Sequence, residues 1–241
     1  ISKIHGNWSE GIMSKKISKR FKKLVTNKKQ KLPLAFDEAL KLVKQNCNAK
    51  FEESIDVSLT LNLKQKKEEF NLRTIVNLPN GNGKKVRVAV LCEDSKISEA
   101  KSSGAEIFGS DTLVNEISSG KIKFDKLIAT PSMMSKMGKL GKILGPKGLM
   151  PNPKLGTVTE KIGNAVKDLK SGQIEIKNDP DGNVGASIGK KSFPEKKIKE
   201  NFDAFIQSII KEKPSGVKGD FIKSAFITST MGVSYKLKLE K

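Results

Sequence analysis

The stretch Gly138-Lys-Leu-Gly-Lys-Ile-Leu-Gly-Pro-Lys-Gly-Leu-Met-Pro-Asn-Pro-Lys-Leu-Gly-Thr-Val-Thr159 constrains the fold more than any other part of the sequence. Its five glycines and three prolines exclude a long helix or a central strand, because proline fixes φ and cannot donate a ladder hydrogen bond. Between residues 131 and 159 the chain carries five lysines and no acidic residue. The stretch therefore predicts either a solvated surface loop or a shaped cationic surface that faces phosphate.

The same stretch, together with the rare residue types, argues against catalytic and metal chemistry. It contains neither Gly-x-x-x-x-Gly-Lys-Ser/Thr nor Gly-x-Gly-x-x-Gly, so no nucleotide motif is present. His5 is the single histidine, which leaves no case for a catalytic triad or a histidine metal cluster. Cys47 and Cys92 are predicted to be buried, reduced thiols, as in cytosolic proteins. We expect no cofactor and no enzymatic activity.

The charge of the chain predicts a polyanionic partner. Its 46 basic and 26 acidic residues give a net charge of +20 over 241 residues, and such a chain gains by neutralising phosphates. No apolar run is long enough to span a bilayer, so nucleic acid is favoured over an anionic membrane. Only three basic residues are arginines. Arginine reading of base edges is therefore not expected to dominate.

The N-terminal part divides into two segments. Residues 1–12 differ in composition from the rest and are predicted to be a disordered upstream extension, with Met13 resembling a natural start. From Lys15 to Lys31 the chain carries nine basic residues and no acidic one. This segment is either a solvated tail or a basic arm that orders on RNA.

Periodicity predicts mixed α and β structure between residues 36 and 130. Apolar residues at helical spacing indicate a helix over Phe36–Gln45, and strict alternation indicates a strand over 55–63 with one buried face. A strand over 72–78 is its predicted partner, with the loop tip at 64–67. After a turn-rich break at 79–83, strands at 86–91, 105–108 and 127–130 alternate with helices at 95–103 and 111–119. This alternation predicts a doubly wound parallel sheet.

The remaining chain completes a two-domain prediction. A helix at 160–170 ends at Gly172, a hairpin joins 173–177 to 183–188, a helix spans 194–211, and strands follow at 220–228 and 233–239. The predicted fold is thus α/β and α+β. Residues 13–80 and 172–241 form a discontinuous α+β domain, and residues 81–171 form an inserted, doubly wound (Rossmann-like) domain.

Two short segments have chemistry suited to RNA, although ordinary structure explains each of them as well. Phe51 precedes a strand, where an aromatic ring serves either as a core lid or as a platform for a base. Ser229-Thr-Met-Gly232 predicts a turn whose side chains project little from the surface. It is either an ordinary hairpin turn or a surface on which an RNA backbone can lie. If Thr230 offers RNA its hydroxyl, replacing it with Val should weaken binding and leave folding nearly unaffected.

The string from Leu144 to Thr159 closely resembles the signature of the bacterial ribosomal protein L-one family of the large subunit, and the resemblance extends over about 14–235. The family usually has His where this chain has Gly185, and Thr is commoner where it has Ser54. The resemblance implies a secondary RNA or tRNA contact loop carrying Lys139, Lys142, Lys147 and Lys154. It implies an rRNA-binding site comprising Lys50, Phe51, Ser54, Arg73, Lys190, Ser192, Ser229, Thr230, Met231 and Gly232.

The resemblance also implies a function. The family's members bind large-subunit rRNA, form the mobile stalk near the tRNA exit site, assist release of deacylated tRNA and can repress translation of their own mRNA. It implies other ribosomal proteins as partners, no membrane, a free monomer and a cytoplasmic, ribosome-associated location. A nonspecific basic nucleic-acid-binding protein is the alternative that the charge alone supports.

Overall fold

The computed structural model describes residues 18–27, 33–62, 72–120, 122–214 and 219–239. The predicted extension at 1–12 and the predicted loop tip at 64–67 lie outside these residues. Of the predicted basic arm, residues 18–27 are described and contain a helix that buries Leu24 and packs Phe21 against the main core. This part of the arm is therefore a docked helix rather than a solvated tail.

Outside residues 131–144, every helix and strand predicted within the described residues is present in the predicted order, with its ends within two residues of prediction. The helix at Lys19–Asn27 and the 3-10 turn at Pro153–Leu155 are not predicted. The helices are α1 (Lys19–Asn27), α2 (Phe36–Gln45), α3 (Ile97–Ser102, after a 3-10 turn at Asp94–Lys96), α4 (Asp111–Ser118), α5 (Ile162–Ser171) and α6 (Glu195–Lys211). The strands are β1 (Ser54–Leu61), β2 (Arg73–Asn77), β3 (Val88–Leu91), β4 (Ile107–Gly109), β5 (Lys126–Ala129), β6 (Gln173–Lys177), β7 (Asn183–Lys190), β8 (Ile222–Ser229) and β9 (Tyr235–Leu237).

A four-stranded antiparallel sheet has the order β7-β1-β8-β9. The inward residues of β1 are buried from Ile55 to Leu61, whereas Ser58 on the other face is exposed. Helices α2 and α6 cover the inner face with buried apolar residues such as Leu40 and Phe205. The predicted alternation of β1 is therefore confirmed by its burial.

Two of the predicted strand pairings are wrong. Strand β2 pairs with β6 rather than with β1, and β7 pairs with β1 rather than forming a hairpin ladder with β6. Across the predicted hairpin turn the described residues form an isolated bridge, between Asn178 and Val184, instead of a ladder. Alternation indicates which face of a strand is buried, but it does not indicate which strand lies next to it.

The middle of the chain forms a parallel sheet with the order β4-β3-β5. All four residues of central β3 are buried, as expected for a strand covered by helices on both faces. After β5 the chain makes four short helical turns: Pro131–Met133, Met134–Met137, Gly138–Leu140 and Gly141–Leu144. The prediction of a loop beginning at Gly138 is therefore wrong up to Leu144.

The buried apolar residues fall into three clusters. One draws its buried members from residues 24–78 and 176–237. The other two lie on the faces of the parallel sheet and draw theirs from residues 88–169. The chain crosses between these two sets near residues 81 and 172, so those two connections must lie side by side.

The crossing is tightly packed. Gly81 and Gly172 both have positive φ, 66° and 111°. A Cβ on Gly172 would approach Gly81 Cα to less than 3.0 Å and the Gly81 carbonyl carbon to 3.2 Å. The fully buried Asn201 donates from Nδ2 to the carbonyls of Gly81 and Ile188, each at 2.8 Å, and accepts the Asn80 N–H at 3.0 Å. The first connection is thereby fixed to α6.

Candidate nucleic-acid interface

The turn between β8 and β9, residues 229–232, forms a compact tip. Ser229 is buried, whereas Thr230 and Met231 are exposed. The Gly232 N–H donates to the Ser229 carbonyl at 3.1 Å. A Cβ on Gly232 would overlap the Ser229 hydroxyl oxygen at less than 3.0 Å. The close approach of these two residues therefore favours glycine at position 232.

The tip is joined to the start of β1. The Thr230 N–H donates to the Ser54 carbonyl at 3.1 Å, and the Ser54 N–H donates to Thr230 Oγ1 at 3.0 Å. The threonine hydroxyl therefore extends the β1–β8 pairing beyond Ser229. The expectation that Thr230→Val leaves folding nearly unaffected does not account for this bond to Ser54.

Replacing Thr230 with Val should lower the free energy of unfolding by about 1 kcal/mol, because the Ser54 N–H loses its acceptor. For a chain of this size the melting temperature should fall by roughly 2–4 °C. Thr230→Ser is the matched control, since it keeps the hydroxyl and should melt near the wild-type temperature. Equal melting of the valine variant and the wild type would show that the bond adds nothing.

A buried carboxylate lies directly beneath the tip. Glu53 is only 1% exposed, and it accepts the Met231 N–H at 3.1 Å and the Ala49 N–H at 2.9 Å. Burial opposes ionisation, but the Ala49 N–H, the Ser229 hydroxyl, the Met231 N–H and the charge of Arg20 together outweigh it, so the pKa of Glu53 is lowered. The segment before β1 and the tip are thus held by one ionised side chain.

The segment before β1 presents Lys50 and Phe51 to solvent, with Phe51 54% exposed. The neighbouring Glu52 accepts from Lys190 Nζ at 3.1 Å and from the Ser192 hydroxyl. The Ser192 hydroxyl and the Lys190 ammonium lower the pKa of Glu52. Since Lys190 pairs with Ser54 across the sheet, these residues meet at the same end of the sheet as the tip.

The structure thus brings most of the predicted rRNA-binding residues to one place, with one exception. Arg73 lies in the two-stranded sheet, where its Nη2 contacts Glu175 Oε1 at 2.8 Å. That carboxylate also faces Lys126 Nζ at 3.5 Å. No described contact of Arg73 joins it to the tip. The residues that do share the end of the four-stranded sheet are Lys50, Phe51, Ser54, Lys190, Ser192, Ser229, Thr230, Met231 and Gly232, here called the tip surface.

Two further positions were singled out from the sequence. Gly185 is exposed on the outer sheet face opposite Ser58, and a Cβ there would meet only the Val57 carbonyl at 3.9 Å. The backbone therefore does not require glycine at 185. The four lysines of the predicted secondary contact loop are all exposed. Lys139, Lys142 and Lys147 lie in or just after the helical turns that end at Leu144, and Lys154 lies in the 3-10 turn at Pro153–Leu155.

Sequence reasoning missed two residues of this site. Arg20 Nη2 donates to the Met231 carbonyl at 2.7 Å, a contact between residues 211 positions apart. No local pattern could have indicated it. Glu53 did carry a signal, because the buried alternation of β1, extended two residues toward the N-terminus, places residue 53 on the inner face.

The described residues contain no group of three or more His, Cys, Asp or Glu side chains that could hold a metal ion. In the same part of the chain, no helix has the length and apolar character needed to cross a membrane.

Comparison with known proteins identifies the family. Residues 43–233 match the model of the Ribosomal protein L1p/L10e family. The chain is 57% identical over 225 residues to the large ribosomal subunit protein uL1 of Pelagibacter ubique, covering 93% of this chain and 98% of the relative. It is 47% identical over 227 residues to the uL1 protein of Prochlorococcus marinus, covering 93% and 95%. Both relatives are ribosomal proteins, so the prediction that the chain is not an enzyme is confirmed. The chain belongs to the ribosomal protein L1p/L10e family, as its sequence predicts.

Proposed function

We propose that this protein is a structural constituent of the large ribosomal subunit and binds large-subunit rRNA through the tip surface. The observation that carries the proposal is the exposure of Phe51 and Met231, at 54% and 48%. Both lie at one end of the four-stranded sheet, beside Lys50 and Lys190. Exposed aromatic and thioether side chains next to ammonium groups suit a base and its phosphate. Family membership supports the same function.

Recognition at this surface would rest on shape and on the RNA backbone. Lysine acts on phosphate as a point charge, so Lys50 and Lys190 would set affinity and its salt dependence. The Thr230 hydroxyl and the backbone of the tip are groups that a ribose 2′-hydroxyl can contact. Glu52 accepts a hydrogen bond from the Lys190 ammonium. This bond would hold the positive charge in one position, so that it does not move to contact any polyanion.

The two proposed domains would have different roles. Residues 13–80 with 172–241 would carry rRNA selectivity, and residues 81–171 would form the inserted domain. The separate apolar clusters of 24–78 with 176–237 and of 88–169 support this division. The paired connections at Gly81 and Gly172 would then act as a hinge. The exposed lysines of the loop at 139–154 would contact RNA or exit-site tRNA.

The family resemblance extends the proposal to the working ribosome. The bound protein would form the mobile stalk beside the tRNA exit site and assist release of deacylated tRNA, in contact with other ribosomal proteins in the cytoplasm. Free protein, as a monomer, would repress translation of its own operon mRNA through an RNA element that mimics the rRNA site.

Alanine substitution of the exposed side chains tests the surface. Phe51→Ala should weaken binding to deproteinised large-subunit rRNA by about 5- to 150-fold, since a base stacked on an aromatic ring contributes about 1–3 kcal/mol. Met231→Ala should also weaken binding, because it removes an exposed apolar contact surface from the tip. Thermal stability should stay near wild type. Ile210→Ala is the matched control, because Ile210 is similarly exposed, at 51%, on α6. If both tip variants bind as tightly as the wild type, the tip surface is not the site that recognises rRNA.

Salt titration distinguishes this function from nonspecific coating of nucleic acid. Dissociation constants for large-subunit and small-subunit rRNA would be measured from about 0.05 to 0.2 M salt. A nonspecific binder would lose affinity for both RNAs equally as the salt concentration rises, because counterion release then contributes less to binding. We expect a preference for large-subunit rRNA that persists at the higher salt concentration.

A further inference from the structure

Both backbone polar groups of Met231 are bound by charged side chains from other parts of the chain. Its N–H donates to Glu53 Oε2 at 3.1 Å, and its carbonyl accepts from Arg20 Nη2 at 2.7 Å. Glu53 precedes β1, and Arg20 belongs to α1. A peptide unit held from both sides by ionised groups has little freedom to rotate, because hydrogen bonds to charged groups are the stronger ones.

The position of Arg20 is poorly explained by stability alone. Its Nη1 is buried and has no hydrogen-bond partner among the described residues. A buried donor without a partner is unfavourable, and an apolar side chain at this position would avoid that cost. The guanidinium is therefore best explained by the carbonyl that it holds. Glu53, which binds the N–H of the same residue, Met231, carries the opposite charge.

Helix α1 is the element that brings Arg20 to the tip. Leu24 is buried in the main core and Phe21 packs against it, so one face of the helix is docked. Lys22 and Lys23 remain exposed. The basic helix and the tip are thus joined through one side chain, although Arg20 and Met231 lie 211 positions apart in sequence.

We propose that Arg20 and Glu53 are positioning residues that fix the Met231 peptide, so that the tip is already in its RNA-binding shape before RNA arrives. This inference rests on the proposed function of the tip surface. Preorganisation of this kind raises affinity by removing an ordering cost that binding would otherwise incur. Neither side chain needs to contact RNA.

The test uses the full chain and deproteinised large-subunit rRNA, with small-subunit rRNA as competitor. Arg20→Met keeps the apolar stem of the side chain but removes its donors and charge. We expect it to bind large-subunit rRNA roughly 10- to 100-fold more weakly, the equivalent of one lost charged hydrogen bond. The slope of log affinity against log salt should stay at the wild-type value, because no phosphate contact is lost.

Two controls isolate positioning from charge. Lys22→Met removes the same charge from an exposed position of the same helix and should bind much more tightly than Arg20→Met. Arg20→Lys should recover part of the affinity, because its ammonium can still donate to the Met231 carbonyl. If Arg20→Met binds like Lys22→Met, the proposal fails. It fails as well if the salt slope of Arg20→Met becomes shallower by about 0.7–0.9, which is the sign of a direct phosphate contact.

A second pair of measurements covers the possibility that Arg20→Met disturbs the fold. Glu53→Gln keeps the size of the side chain but turns an N–H donor toward one of its two backbone donors, so it should also weaken binding. Since both residues act on Met231, the double variant should lose less affinity than the product of the two single losses. If the affinity loss of the double variant equals the product of the two single losses, Arg20 and Glu53 do not act together on Met231. Failure of the wild-type protein to prefer large-subunit rRNA would instead refute the proposed function.

Discussion

Gly172→Ala should lower the melting temperature by roughly 5–15 °C. The new Cβ would overlap the backbone of Gly81, and φ at Gly172 is +111°, where residues other than glycine are strained. Overpacking against backbone and the unfavourable φ together cost about 2–4 kcal/mol, and each kcal/mol lowers the melting temperature by about 2–4 °C at this chain length. Thermal unfolding measured by circular dichroism tests the prediction.

Gly120→Ala is the matched control for this prediction. Gly120 also has positive φ, at 71°, but a Cβ there would meet nothing within 4 Å. It should therefore show only the conformational cost of about 1–2 kcal/mol. If the two variants have the same melting temperature, the contact between the two connections is looser than the structure indicates.

Removal of residues 81–171, the proposed inserted domain, is the second large change. Joining Asn80 to Gly172 through a short Gly/Ser linker should leave a folded protein that still prefers large-subunit rRNA over a random stem-loop. The linker is short because the two connections touch at Gly81 and Gly172, so the loop to be closed is small and its entropy cost low. The main apolar cluster also loses no buried member, since none comes from residues 81–171.

The excision should still weaken binding and reduce its salt dependence, because it removes the exposed lysines of the 131–159 stretch. The expected combination is a shallower salt slope with retained selectivity, measured by titration against both RNAs. The isolated segment 81–171 is the reciprocal control and should bind without selectivity. If that segment is selective instead, the surface that recognises rRNA lies in the Gly/Pro-rich loop.

The sequence was most informative where burial repeats with a simple period. Helix α2 has its predicted bounds because its apolar residues recur on one face, and β1 was identified by alternation alone. The helical turns up to Leu144 carried the same kind of signal, since Met133, Met137, Leu140 and Leu144 are all buried at helical spacing. The glycines between them concealed the pattern, because glycine lowers helix propensity without preventing a turn that buries its neighbours.

Strand partners and long-range polar contacts were not available from local patterns. Strand β2 could equally have paired with β1, and only the folded chain places it beside β6. The tip residues were identified by resemblance, but the Arg20 contact joins parts of the chain that no period connects. The resemblance places Arg73 in the rRNA-binding site, whereas in the structure its charge is paired with Glu175 in another sheet.

The order of strands in the four-stranded sheet has a consequence for synthesis. Both hydrogen-bonding neighbours of β1, namely β7 and β8, come from residues after 182, so β1 leaves the peptidyl-transferase centre long before either neighbour exists. The parallel sheet, by contrast, has all its strands once residue 129 has been made. The bonds from Met231 to Arg20 and Glu53 must wait until that residue has been translated. The tip is therefore completed only after its last residue, Gly232, has been translated.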